Sequence, residues 1–215
     1  VDHFYQYFSK STTFKIRFNN QIMALTESYM LPLGTRATDF SLPNVANDST
    51  VSLEQLKGSK GTLIIFMCNH CPYVIHLLEG ILHTAQNFKE KGIETIAISS
   101  NSIKTHPQDG PEQMKHLALE NNFSFPYLYD ESQEVAHLYQ AACTPDFYLF
   151  DENLSLVYRG RFDDSRPGNE VPVTGKDLHQ AAMLMLSKKA QYTPQYPSMG
   201  CNIKWHLGNS PEEKN

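Results

Sequence analysis

The chain has 215 residues, of which 40% are hydrophobic and 19% charged. That is enough to bury one core without disulfide or metal staples, and it excludes wholesale disorder. A formal net charge of -5 repels polyanions on average, so nucleic acid is not an expected partner. No run of about 18 apolar residues is present, so no segment is expected to span a membrane. Four cysteines are too few for a disulfide-dense secreted scaffold.

Residues 1–22 are basic and aromatic, with no apolar run of the kind a secretory signal needs and a single Arg where a transit peptide would carry several. They are expected to be an N-terminal extension upstream of a working start at Met23. The main domain is expected over residues 23–190, followed by an extended C-terminal tail over 191–215.

Thr38 to Leu42 and Val51 to Leu53 alternate polar and apolar residues around turn formers, which predicts an N-terminal β-hairpin. Leu63-Ile64-Ile65-Phe66-Met67 reads as a strand buried on both faces. After Cys68-Asn69-His70-Cys71-Pro72 the period becomes helical through Val74, Leu77, Leu78, Ile81, Ala85 and Phe88, with Gly80 as a bend. Lys89-Glu90-Lys91-Gly92 stops the helix, and Ile93 to Ile98 is a second strand, making a βαβ unit with parallel pairing.

A helix from Pro111 to Asn121 and a strand from Phe125 to Tyr129 follow as an insertion. Asp130 and Gln133 are expected to form a capping box for a helix carrying Val135, Leu138 and Tyr139. Asp146–Phe150 and Leu154–Arg159 predict a second hairpin. Thr174 with Asp177 is expected to cap a last helix, whose Leu178, Ala181, Ala182 and Met185 share a face. The whole reads as α/β, a central mixed sheet flanked by helices. Tyr192 to Trp205 has prolines and no helical period, yet carries too much apolar surface for a solvated tail, so it is expected to lie along the domain and bury Trp205.

Cys68 and Cys71 stand where a strand hands over to a helix. Helix N-terminal amides favour negative charge, so a cysteine there is expected to have a lowered pKa and to remain accessible. The second cysteine lies about one helical turn away, near enough to close a disulfide, and His70 adds positive charge when protonated. A C-x-x-C at this junction is a redox signal. The same spacing would serve two buried structural thiols, or half of a zinc site, although Cys143 and Cys201 form no second closely spaced pair. His76, His83, His116, His137 and His179 show no metal-binding spacing and are expected on the surface. Arg159, Arg161, Asp163, Asp164 and Arg166 read as a solvated charged turn.

With Ala37-Thr38-Asp39-Phe40-Ser41-Leu42-Pro43, the Cys68–Cys71 motif and Cys143-Thr144-Pro145-Asp146-Phe147, the chain resembles a thioredoxin-fold redoxin of the alkyl hydroperoxide reductase/thiol-specific antioxidant superfamily, in its peroxiredoxin-like branch with a thioredoxin-type CxxC. The resemblance covers roughly residues 33–190. It implies that Pro145 is a cis-proline facing the pair, that Cys68 attacks and that Cys71 resolves. The ending Gly200-Cys201-Asn202-Ile203-Lys204-Trp205 also resembles the tail of that branch. Thioredoxin itself has Trp before its first cysteine, Gly-Pro inside the motif and a buried acid upstream, where this chain has Met67, Asn69-His70 and Thr62. Peroxiredoxins place Pro and Thr or Ser seven and three residues before the peroxidatic cysteine. Counting back from Cys68 gives Gly61 and Ile65, and from Cys71 gives Ile64 and Cys68, so peroxidase activity is disfavoured.

The expectation is a cytoplasmic thiol–disulfide oxidoreductase acting on a disulfide-containing protein or small molecule and serviced by a thiol partner. The chain carries its own redox centre and needs no bound cofactor or metal. Cys143 and Cys201 are candidate auxiliary thiols, or packing thiols. A redox-responsive binding or sensor protein without turnover is the alternative.

Overall fold

In the computed structural model, which describes residues 14–18, 21–191 and 194–211 with side chains from residue 25 onward, the alternating and apolar runs become strands of three sheets. β1 (Phe14–Phe18) pairs antiparallel with β2 (Gln21–Glu27), which runs through the expected start at Met23. Most of the expected 1–22 extension, and Tyr192-Thr193 of the tail, lie outside the described residues. β3 (Ser41–Pro43) and β4 (Thr50–Ser52) form the expected hairpin, which runs into the short α1 (Leu53–Leu56). Here the sequence hid a true capping box: the Gln55 amide donates to Ser52 Oγ while Gln55 Oε1 accepts from the Ser52 amide.

β5 (Gly61–Phe66), α2 (Pro72–Glu90) and β6 (Ile93–Ser99) are the βαβ unit, with β5 and β6 parallel from Gly61–Ile93 to Phe66–Ile98. α3 (Pro111–Glu120), β7 (Tyr127–Tyr129) and α4 (Glu134–Leu138) make the insertion, and β7 extends the sheet parallel to β6. β8 (Cys143–Thr144) precedes the second hairpin of β9 (Asp146–Asp151) and β10 (Leu156–Gly160). After α5 (Lys176–Leu186) the tail returns as β11 (Met199–Asn202). The five-stranded sheet runs β10-β9-β5-β6-β7, and a second runs β1-β2-β11-β8.

Strand alternation sorts the core into two layers. Leu63, Ile65, Ala97, Phe147 and Leu149 face α2, α3 and α5 through Val74, Ile81, Phe88, Met114, Leu178 and Ala182. Ile64, Phe66, Ile96, Ile98, Tyr148 and Phe150 face the opposite layer, with Phe40, Leu53, Val135 and Tyr139. Each full burial of such a side chain stabilises by about 1.5–3 kcal/mol, which makes the sheet a rigid platform for whatever its ends carry.

Several local expectations fail because side chains are claimed by distant partners. Gln133 is the N-cap of α4 in a left-handed conformation and makes no cap bond. Its amide group donates instead to the Ser100 and Lys204 carbonyls, and the Asp130 carboxylate takes the Val135 and Ala136 amides. Gly175, not Thr174, caps α5, and Asp177 accepts from Arg161 Nε. α2 runs unbroken through Gly80, where a Cβ would meet Val173 and Phe162, so the glycine permits close packing. β10 begins at Leu156 because Leu154 holds a positive φ in the turn.

The charged turn is solvated only in part. Arg159 is fully buried, donating through Nη2 to Asp146 Oδ2 at 3.1 Å and to the Gln140 carbonyl at 2.8 Å, with its guanidinium over the Tyr148 ring. Asp163 is also buried, accepting from the Ser165, Thr174 and Gly175 amides. His83 and His116 are exposed. His76, His137 and His179 are half-buried, and His76 and His179 hydrogen-bond Ser165 and Thr84.

Candidate active site

Both cysteines of the motif sit at the C-terminal end of β5, where α2 begins, but the helix boundary falls three residues later than the expectation for Cys68 required. Cys71 is the N-cap and Pro72 the first helical residue, so Cys71, not Cys68, stands at the positive end of α2. Cys68 lies upstream of that end and beside an acid. Both thiols are fully buried in the reduced chain, which corrects the expectation of an accessible Cys68. Only Asn69 and His70 of the loop between them reach the surface.

The electrostatics divide the pair. Burial, a hydrogen bond to Cys71 and the negative charge of Asp109 push Cys68 well above an ordinary thiol, the reverse of the expected lowering. Burial also pushes Cys71 up, but hydrogen bonds from Cys201, Cys68, Thr144 and the Val74 amide outweigh it and hold Cys71 well below an ordinary thiol. The lowered thiol of the pair is thus the one at the helix N-cap.

Asp109 was not visible as a site residue in the sequence. It is buried under the loop and accepts from the Asn69 amide at 2.9 Å, from Asn101 Nδ2 at 2.9 Å and from His70 Nδ1 at 2.6 Å. Burial alone would raise this carboxyl, yet those bonds hold it below the usual range. His70 Nδ1 also lies 3.9 Å from Cys68 Sγ, and His106 stacks on the His70 ring at 5.0 Å. Tyr127 donates to Asn69 Oδ1 at 3.1 Å from beneath the loop. Only the turn residues His106-Pro107 and Gly110-Pro111 around Asp109 hinted at a structured loop.

The facing segment comes from β8. The Thr144–Pro145 peptide bond is cis, and Thr144 touches both cysteines: its Oγ1 lies 3.5 Å from Cys68 Sγ and its carbonyl accepts from Cys71 at 3.1 Å. Thr144 was quoted within the motif around Pro145 without a role, and it is the residue that joins the two cysteines to the proline. Cys143 is buried with its thiol 3.9 Å from the Pro145 carbonyl and is raised by burial and by Asp146. Cys201 enters the site from β11, with its Sγ 2.8 Å from Cys71 Sγ. Its hydrogen bond to Cys71, then burial, push it well above an ordinary thiol. Thus Cys68, Cys71, His70, Pro145 and Cys201 converge, and Cys143 stays to one side.

Cys68, His70 and Asp109 are also the one triad among the described residues able to offer three metal-ligand atoms, all within 4.8 Å of one another. Within it His70 Nδ1 contacts Asp109 at 2.6 Å. Thr62, in the place of thioredoxin's buried acid, accepts from the Gly58 amide and is a packing residue.

Comparison with known proteins matches the chain to one family. A family model described as AhpC/TSA family matches residues 33–159. Alkyl hydroperoxide reductase C of Staphylococcus saprophyticus is 26% identical over 194 residues, spanning 87% of this chain and 93% of the relative. The crystal structure of an uncharacterized conserved protein from Geobacillus kaustophilus superposes with a TM-score of 0.84 at 48% identity, covering 86% of this chain and 97% of that one. A hypothetical protein from Sinorhizobium meliloti 1021 does so with a TM-score of 0.82 at 42% identity, covering 85% and 99%. Among the described residues, no helix is long and apolar enough to cross a membrane.

Proposed function

The chain belongs to the AhpC/TSA family, and from that premise we propose that it is a thiol–disulfide oxidoreductase whose Cys68–Cys71 pair exchanges with disulfides of a protein or small molecule. One observation carries this reading: both thiols touch Thr144, the residue before cis-Pro145, so the pair and the facing loop form one contact surface. Cys68 is the attacking sulfur by the order of the motif, in which the first cysteine attacks; His70 Nδ1 stands 3.9 Å from it, while Cys71 is in contact with Cys201.

The chemistry follows from where the charge rests. Cys71, whose thiol is lowered by hydrogen bonds with Cys201, Cys68 and Thr144 and by the Val74 amide, loses its proton and takes the Cys68 proton as Cys68 attacks a substrate sulfur. The departing substrate thiolate takes up a proton, leaving a mixed disulfide on Cys68. Cys71 then loses its proton again to solvent and attacks Cys68, releasing the second substrate thiol and closing the Cys68–Cys71 disulfide. A thiol partner reduces that disulfide to complete the cycle. Cys71→Ser removes the resolving sulfur, so mixed disulfides should accumulate on Cys68, and Cys68→Ser should trap none. Equal trapping by both variants, or turnover of an insulin-type disulfide surviving in Cys68→Ser, would overturn the assignment. Absence of any turnover in the intact protein would favour a redox-responsive binding role.

Hydroperoxide reduction is the second reading. It is favoured by the names of the curated relatives and by the Thr144 hydroxyl, which stands beside Cys68 although neither sequence register supplies one. Peroxide consumption with a thiol donor, measured against a free low-pKa thiol, decides between the two.

A further inference from the structure

Cys201 is held against Cys71 from both sides. β11 pairs antiparallel with β2 through Cys201 opposite Leu25, and with β8 through Cys201 opposite Thr144. Beyond the strand, the Ile203 amide donates to the Ala142 carbonyl and the Lys204 amide to Asn101 Oδ1 at 2.8 Å. Before it, Ser198 Oγ donates to the Gly160 carbonyl at 2.7 Å. Gly200 has no Cβ where one would collide with the Thr144 carbonyl, so the strand lies as close to the cis-proline segment as a backbone can. Cys71 is equally fixed as the N-cap of α2.

Two sulfurs 2.8 Å apart are within van der Waals contact, and less than about 1 Å of movement brings them to disulfide bonding distance. A packing thiol needs no such approach to one particular sulfur. Cys143, also buried and also near the motif, approaches a carbonyl and no sulfur.

We propose that Cys201 is a third redox thiol, and that the oxidised protein exchanges its Cys68–Cys71 disulfide for a Cys71–Cys201 disulfide. This rests on the Cys68–Cys71 reading as the source of the first disulfide. Cys201 sulfur attacks Cys71 Sγ, the bond between Cys71 and Cys68 breaks, and the electron pair leaves on Cys68. The Cys201 proton passes to Cys68, so the step is an isomerisation that needs no further oxidant or reductant. Its result is a Cys68 thiol free for another exchange, with the oxidised pair kept behind it, away from solvent.

The test maps disulfides in the full chain after diamide oxidation, acid quenching and alkylation. Cys68 and Cys71 share the tryptic peptide 61–89, and Cys201 lies on 190–204. Wild type should yield both a loop-linked 61–89 peptide and a 61–89/190–204 cross-link. Cys68→Ser should yield the cross-link as its major oxidised species, absent after reduction. Lack of the cross-link in either protein overturns the proposal. Failure of the exchange reading is recorded separately, by the trapping experiment on Cys71→Ser, which needs no Cys71–Cys201 bond.

Discussion

His70 Nδ1 donates to Asp109 Oδ2 across 2.6 Å, and that carboxylate also takes the backbone amides of Asn69 and His70. Asp109 therefore fixes the loop between the two cysteines from below, while its charge raises the thiol of Cys68. The same acid organises the site and adds to the burial and the Cys71 hydrogen bond that raise the Cys68 thiol.

Replacing Asp109 by Asn keeps two or three of these hydrogen bonds and removes the charge. Burial and the bond to Cys71 remain as causes of the raised Cys68 thiol, but the third is gone, so the Cys68 pKa should fall. Thiolate absorbance of the reduced protein, followed against pH, should titrate at lower pH in Asp109→Asn. An unchanged or upward-shifted curve would show that Asp109 acts through geometry alone.

Asp109 also links stability to pH. Its folded-state carboxyl is depressed, so its contribution is fully present above the unfolded value near ~3.9 and is lost as pH falls through the lower folded value. The stability gap between wild type and Asp109→Asn should narrow as pH drops from about 5 toward about 3. Denaturant midpoints across that range measure it; a gap that widens in acid has the wrong sign.

The sequence made the scaffold legible where the information is local. A switch from continuous apolar residues to a helical period marked β5 and α2, and the C-x-x-C between them is contained in four consecutive residues. Asp130 and Gln133, in contrast, have the right types for a capping box, yet their side chains are committed to α4 amides and to the Ser100 and Lys204 carbonyls. Asp109, Thr144 and Cys201 reach the pair only after the short 3-10 turn Pro107–Asp109, β8 and β11 are placed in space. No spacing in the chain encodes the 2.8 Å between Cys71 and Cys201, because it depends on β11 pairing with β8.

Arg159 and Asp146 form a fully buried ion pair one residue beyond cis-Pro145. Burial pushes the Asp146 carboxyl up, against the pull of Arg159, and removing the guanidinium leaves a buried acid without its partner. Arg159→Ala should cost about 3–5 kcal/mol, read from denaturant unfolding. Arg159→Met with Asp146→Leu should recover much of that loss, since neither charge is then buried alone. A double variant as unstable as Arg159→Ala would place the cost in packing over Tyr148 instead.

Gly200→Ala inserts a methyl group where the Thr144 carbonyl stands. The obstacle is the Thr144–Pro145 backbone rather than a flexible side chain, so β11 should shift away at a cost of about 1–3 kcal/mol. Because Cys201 follows directly, the variant should also lose most of its diamide-induced cross-link to peptide 61–89. A stable Gly200→Ala protein with wild-type cross-linking would mean that the strand accommodates the methyl without moving.

The chain has a single tryptophan, Trp205, and it reports on the tail without reporting on the sulfurs. Its indole is half-buried, stacked on His137 at 4.5 Å, and packs against the core layer that contains Phe40, Leu53 and Ile64. Cys68, Cys71 and Cys201 belong to the layer on the other face of the sheet. Between Cys201 and Trp205 the backbone is pinned by the Ile203–Ala142 and Lys204–Asn101 bonds, so a sub-ångström shift of Cys201 toward Cys71 is absorbed before it reaches the indole. Emission should therefore be blue-shifted from that of the unfolded chain and the same in oxidised and reduced protein, to within a nanometre or so. His137→Ala removes the stacked ring and should move the emission to the red, because a half-buried indole then gains water on that face. A redox-dependent shift of Trp205 in the wild type would mean that oxidation displaces the whole tail rather than one sulfur.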